Sequence, residues 1–168
     1  MNAMIYTSNT GSTAYYAKAL ALETGLPAYS MAEADKKVQK GAEIIYLSWL
    51  MAGAVQGYAA AAKRYDICGV CAVAMGRCGT QTEEVRHKNH IPESIPLFML
   101  QGNFDIKKLH GIYRFMMNII VKTAGKTLAE KQDRTADEED MLDMMQNGIG
   151  RVKTENLRPV LEWYEQRK

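Results

Sequence analysis

The sequence predicts an α/β protein, a three-layer sandwich whose five-stranded parallel sheet carries helices on both faces, with extra helices at the C-terminal end. Two observations lead there. Five short apolar runs alternate with helical patterns or turn residues over the first two thirds of the chain. One of them, Ile44-Ile45-Tyr46-Leu47, is apolar without alternation, which marks a strand covered on both sides.

Each element follows from its residues. Met4 to Thr7 is the first strand. Ala14 to Thr24 places Tyr15, Ala19 and Leu22 near one helical face, and Gly25 stands where a helix ends in a left-handed residue. Leu26 to Tyr29 is a short second strand, and Ala32 to Lys40 is a polar helix stopped by Gly41. Glu43 to Trp49 forms the third strand and Val55 to Arg64 an alanine-rich helix. Gly69 to Met75 is a buried fourth strand, Thr82 to Lys88 a short helix and Ile95 to Leu100 the fifth strand. Thr135-x-x-Glu138 then has the form of a capping box, with Asp137, Glu139 and Asp140 in the first turn of a helix ending near Asn147-Gly148. A last helix starts near Leu157, where Pro159 is tolerated in the first turn and Val160, Leu161 and Tyr164 face the sheet.

Length and composition bound the function. With 168 residues, 47% of them hydrophobic, the chain fits a single domain, 1–168, with a substantial core and no linker or internal repeat. The first residues lead straight into a strand, with no basic region before an apolar signal core, so a cytoplasmic protein is expected. A net charge of +2 without a dense Lys/Arg cluster gives no reason to expect nucleic acid. The three cysteines read as reduced thiols. Cys68 and Cys71 lie three apart in a strand and so point to opposite faces, unless Cys68 precedes the strand; with no second paired motif, no metal is expected. No Gly-x-Ser-x-Gly elbow is present for hydrolysis.

The most informative stretch is Ser8-Asn9-Thr10-Gly11-Ser12-Thr13, between the first strand and the first helix. Hydroxyls, a glycine that admits close backbone approach and the free N–H groups of a new helix suit a phosphate. Charge-assisted hydrogen bonds contribute roughly 1.5–3 kcal/mol each, so three or four hold a phosphate without a lysine. The loop has neither the Gly-Lys-Ser/Thr of a nucleoside triphosphatase nor the three glycines of a dinucleotide fold. An ordinary turn with Ser12 or Thr13 as helix cap accounts for one hydroxyl and leaves the others unexplained. In an open parallel sheet, the turns after strands one, three and four, Ser8 to Thr13, Ser48 to Gly57 and Gly76 to Thr82, lie at the carboxyl edge, where ligands bind.

Ser8-x-Thr10-Gly11-x-Thr13 resembles the phosphate loop of the flavodoxin family, whose members bind FMN. The C-terminal stretch from Gln101-Gly102-Asn103-Phe104-Asp105 to Lys122 is similar to the flavodoxin-domain branch that includes menaquinone-dependent protoporphyrinogen dehydrogenase. The resemblance implies a flavodoxin-like sandwich with strand order 2-1-3-4-5. It implies that Ser8, Asn9, Thr10, Gly11, Ser12 and Thr13 hold the FMN phosphate. Ser48, Trp49, Leu50, Met51, Ala52 and Gly53 then wall one face of the isoalloxazine. Met75, Gly76, Arg77, Cys78, Gly79, Thr80 and Gln81 cover its pyrimidine edge. Trp49 is the stacking candidate, with core packing at the strand end as its other role. The Ala52-Gly53 peptide is the candidate to reorient with cofactor protonation, and Arg77 the candidate to stabilise negative charge on the ring. The implied activity is flavin electron transfer with a redox partner protein. Two other readings stand beside it: an FMN-dependent dehydrogenase acting on a quinone or small molecule, and a flavin-free interaction module.

Lys107 to Lys122 is too continuously apolar for a surface helix and too short for a bilayer span. It requires a cover, as a core helix, a homodimer helix or a docking surface for membrane or quinone.

Overall fold

A parallel sheet is built from the runs that the sequence marks. In chain order the elements of its unit are β1 (Ala3–Thr7), α1 (Ser12–Thr24), β2 (Ala28–Ser30), α2 (Met31–Lys37), β3 (Glu43–Met51), β4 (Ala54–Val55), α3 (Tyr58–Arg64), β5 (Asp66–Ala74), α4 (Thr82–Asn89) and β6 (Leu97–Gln101). The computed structural model describes residues 1–75, 79, 81–109 and 111–167. The parallel strands run β2-β1-β3-β5-β6, with β4 paired antiparallel to β3 off that path. Five strands in the order 2-1-3-4-5 were expected; the sheet has six, because the chain doubles back after Met51 and shifts the numbering of the later strands. Ala52 and Gly53 both have positive φ, 47° and 76°, as a two-residue hairpin loop needs.

Alternation along the strands sorts the core into two layers. Ile5, Ile44, Tyr46, Val70, Ala72 and Met99 bury one face against Ala34 of α2, Ala61 of α3 and Val85 of α4. Met4, Ile45, Leu47, Cys71, Val73 and Leu100 bury the other against Tyr16, Ala17 and Leu20 of α1. Val160 and Tyr164 of α7 (Arg158–Glu165) join that second layer. Pro159 occupies the first turn of α7, as the sequence reading has it. Tyr16, fully buried, donates to the Gln101 carbonyl at 2.6 Å and accepts from Asn156 Nδ2 at 2.7 Å, which ties α1 to the end of β6.

The chain divides into two compact units, Met1–Gly102 with Val152–Lys168, and Asn103–Arg151. The second contains α5 (Gly111–Glu130) and α6 (Ala136–Asn147). The expected capping box of α6 is complete: Thr135 Oγ1 accepts from the Glu138 N–H at 3.3 Å, and Glu138 Oε2 accepts from the Thr135 N–H at 2.9 Å. Arg151 binds Asp140 at 3.1 Å and Asp143 at 2.5 Å, fastening the exit of this unit to α6. None of the residues of α5 is buried, so it is not a core helix.

Candidate functional site

The carboxyl ends of β1 and β3 lie side by side, with Thr7 in register with Ser48, and the chain crosses from β1 to β2 on one side and reaches β3 on the other. This switch in strand order is where open α/β sheets leave a crevice for a ligand. The loop from Ser8 to Gly11 springs from it.

Gly11, at φ 100°, is the left-handed N-cap of α1 and, having no side chain, makes no cap bond of its own. The helix therefore begins at Ser12, two residues earlier than the sequence pattern suggests, and Ser12 and Thr13 enter its first turn with exposures of 9% and 1%. Ser8 Oγ is occupied, accepting from the Ala14 N–H at 3.3 Å. Among the described residues, the hydroxyls of Thr10 and Thr13 and the backbone N–H groups of Asn9, Thr10, Gly11 and Thr13 have no protein partner. No charged side chain falls in residues 8–13. Such a set suits a phosphate: neutral donors with no internal claim on them.

The second loop is the β3–β4 hairpin. Trp49 is half-buried at the end of β3, in register with Val73, on the α1 side of the sheet. Leu50 packs partly on the opposite layer, and Met51 is half-buried. Beneath the hairpin lies a polar network that the sequence reading missed. Tyr46 Oη donates to the Gln56 carbonyl at 2.7 Å, Ser48 Oγ donates to the same carbonyl at 2.6 Å, and Thr7 Oγ1 lies 2.9 Å from Tyr46 Oη. The Tyr46 proton is committed to Gln56, so Thr7 donates to Tyr46. Burial pushes the Tyr46 phenol above its ordinary value, partly offset by its bonds to Thr7 and Ser48.

The tip of the hairpin is held from α4. Lys88 Nζ donates to the Ala52 carbonyl at 2.5 Å and Asn89 Nδ2 to the Gly53 carbonyl at 2.8 Å, while Asn89 Oδ1 accepts from the Val55 N–H at 2.8 Å. The Ala52-Gly53 peptide, expected to be free to turn over, thus has its carbonyl engaged by an exposed lysine. Nothing in the sequence spacing of 52 and 88 signals that contact.

Of the third loop, Met75 is 41% exposed at the end of β5, Gly79 donates its N–H to the Met99 carbonyl at 3.2 Å, and Gln81 is the exposed left-handed cap of α4. Gly76, Arg77, Cys78 and Thr80 lie outside the described residues. Cys68 stands inside β5 at a register irregularity and not in the turn before it; Cys71 is fully buried in the α1 layer, and burial drives its thiol far up. Among the described residues no group of His, Cys, Asp and Glu is placed to hold a metal. A shallow groove beside α1 and α7 is lined by Ala19, Leu157 and Leu161 together with Glu23, Glu155, Glu162 and Arg158, a mostly apolar surface whose carboxylates outnumber its one cation and do not suit a phosphate.

No family model matches this chain, and no curated protein matches it.

Proposed function

We propose that the chain binds FMN by its phosphate and acts in electron transfer. The observation that carries this reading is the loop after β1, where, among the described residues, the backbone N–H groups of Asn9, Thr10, Gly11 and Thr13 and the Thr10 and Thr13 hydroxyls have no protein partner and sit at the switch point of the sheet. FMN, when bound, supplies one- and two-electron transfer at its isoalloxazine ring. The chain's own part is to hold the phosphate with neutral dipoles, at roughly 1.5–3 kcal/mol for each charge-assisted bond. Trp49, at the end of β3, offers a planar wall with large contact area and little conformational entropy to lose. The Thr7–Tyr46–Gln56 network and the Lys88 and Asn89 contacts hold the hairpin rigid, so the wall is set before a ligand arrives. In this reading Arg77 balances negative charge on the ring by direct attraction. Arg77→Ala then lowers the two-electron potential in a redox titration, and an unchanged potential contradicts that role.

The test is a titration of purified protein with FMN, followed by tryptophan fluorescence and visible absorbance. Saturable quenching with release of FMN on denaturation supports the reading; no response from either signal removes it and leaves a flavin-free interaction module. A second reading, an FMN-dependent dehydrogenase acting on a quinone or small molecule, is favoured by one feature. That feature is the similarity of the stretch from Gln101 to Lys122 to the flavodoxin-domain branch that includes menaquinone-dependent protoporphyrinogen dehydrogenase. Turnover of a quinone by the FMN-loaded protein separates an enzyme from a carrier.

A further inference from the structure

We propose that α5 docks on an anionic lipid surface, lying in the interface and not crossing the bilayer. Six large apolar side chains of this helix stand in solvent: Ile112 at 68% exposure, Phe115 at 66%, Ile119 at 47%, Met116 and Ile120 at 41% and Tyr113 at 37%. At 100° per residue, Ile112, Phe115, Met116 and Ile119 fall within an arc of about 100°. The opposite side of the helix is used otherwise. Met117, Val121, Ala124 and Leu128 are half-buried, and a Cβ on Gly125 would stand 3.5 Å from Met145 Sδ of α6.

The charge on this segment has one sign. Lys107, Lys108, Arg114, Lys122 and Lys126 precede Glu130, and no Asp or Glu falls between Asp105 and Glu130. Asp105 apart, the acids of the unit are gathered over 130–143. Lys108 lies 4.0 Å from Asp105 and Lys126 lies 3.8 Å from Glu130; among the described residues Lys107, Arg114 and Lys122 pair with no carboxylate. Lys122 and Lys126 border the apolar arc, where long cationic side chains reach headgroups while the arc meets acyl chains. No described helix is long and apolar enough to cross a membrane, which leaves the interfacial position.

The test is co-sedimentation of the full chain with vesicles of phosphatidylglycerol and phosphatidylcholine in about equal parts, and with phosphatidylcholine alone, at salt of about 0.05 M and about 0.5 M. The chain sediments with the anionic vesicles at low salt and is released at high salt. Lys122→Glu with Lys126→Glu lowers partitioning about 25-fold or more, at roughly five-fold for each cation. Phe115→Ser with Ile119→Ser, both exposed positions, lowers it at least as far. Binding that is absent, that is equal on neutral vesicles, or that survives both double variants overturns the proposal. So does a dimer in solution that Phe115→Ser with Ile119→Ser dissociates, without lipid binding, since a second copy would then be the occupant. The measurement reads the protein itself and is independent of any flavin.

Discussion

Gly57 has φ 77° at the entry to α3, and a Cβ there would stand 2.5 Å from Tyr46 Oη, so backbone and packing both require glycine. Gly25 has a similar φ of 74° but open space where a Cβ would go. Gly25→Ala is therefore expected to cost about 1–2 kcal/mol for the left-handed backbone alone, and Gly57→Ala clearly more, because it also dislodges the Tyr46 hydroxyl from Gln56. Urea midpoints of the two variants check the difference; equal losses contradict the network. The same tyrosine gives a pH dependence. Burial raises Tyr46 above its ordinary 10.0 and Cys71 above 9.0, so both stay neutral in the fold at pH values where the unfolded chain ionises them. Their contribution to stability is whole below about pH 9 and falls as pH rises beyond it. Tyr46→Phe is expected to lower stability at neutral pH by about 1 kcal/mol and to make the alkaline decline shallower. An unchanged slope in a urea series against pH would show that the phenol is not protected.

At the scale of elements, the β3–β4 hairpin depends on a residue far along the chain. Asn89 accepts from Val55 and donates to the Gly53 and Val85 carbonyls at 2.8, 2.8 and 2.7 Å. Asn89→Ala leaves part-buried polar groups unpaired and is expected to cost about 1–3 kcal/mol. Hydrogen exchange reads it directly: the Val55 amide loses protection while those of β1 and β5 keep theirs. That hairpin also marks the limit of what the sequence discloses. Local signals were legible: Gly25 ends α1, Thr135 and Glu138 open α6, Pro159 sits in the first turn of α7, and unbroken apolar runs mark the buried strands. Ala54 and Val55 carry no strand pattern of their own, and Val55 reads as the start of the alanine-rich helix; their pairing with Met51 and Leu50 follows from the left-handed Ala52-Gly53 turn and is held by Asn89 from far along the chain. Likewise the hydroxyl-rich character of the loop after β1 was legible from its residues. That Ser8 is occupied by the Ala14 amide, leaving Thr10 and Thr13 available, depends on the left-handed turn at Gly11, which only the folded backbone reveals.

Across the whole molecule the two units differ in how their residues are buried. The sheet unit has two continuous apolar layers, whereas α5 has no buried residue and relies on its half-buried side. Local opening follows such differences, so the amides of α5 are expected to exchange well before those of β3 and β5. Simultaneous exchange of both would contradict independent opening of the helix. The account turns on the loop after β1, and one measurement tests it most directly: calorimetric titration of the native chain and of the Thr10→Val, Thr13→Val variant with FMN and with riboflavin. At roughly 1–3 kcal/mol for each hydroxyl, the variant is expected to lose ten-fold or much more in FMN affinity, while riboflavin, having no phosphate, is barely affected. Equal losses for the two ligands, or no binding of FMN by the native chain, would contradict the assignment of this loop to a phosphate.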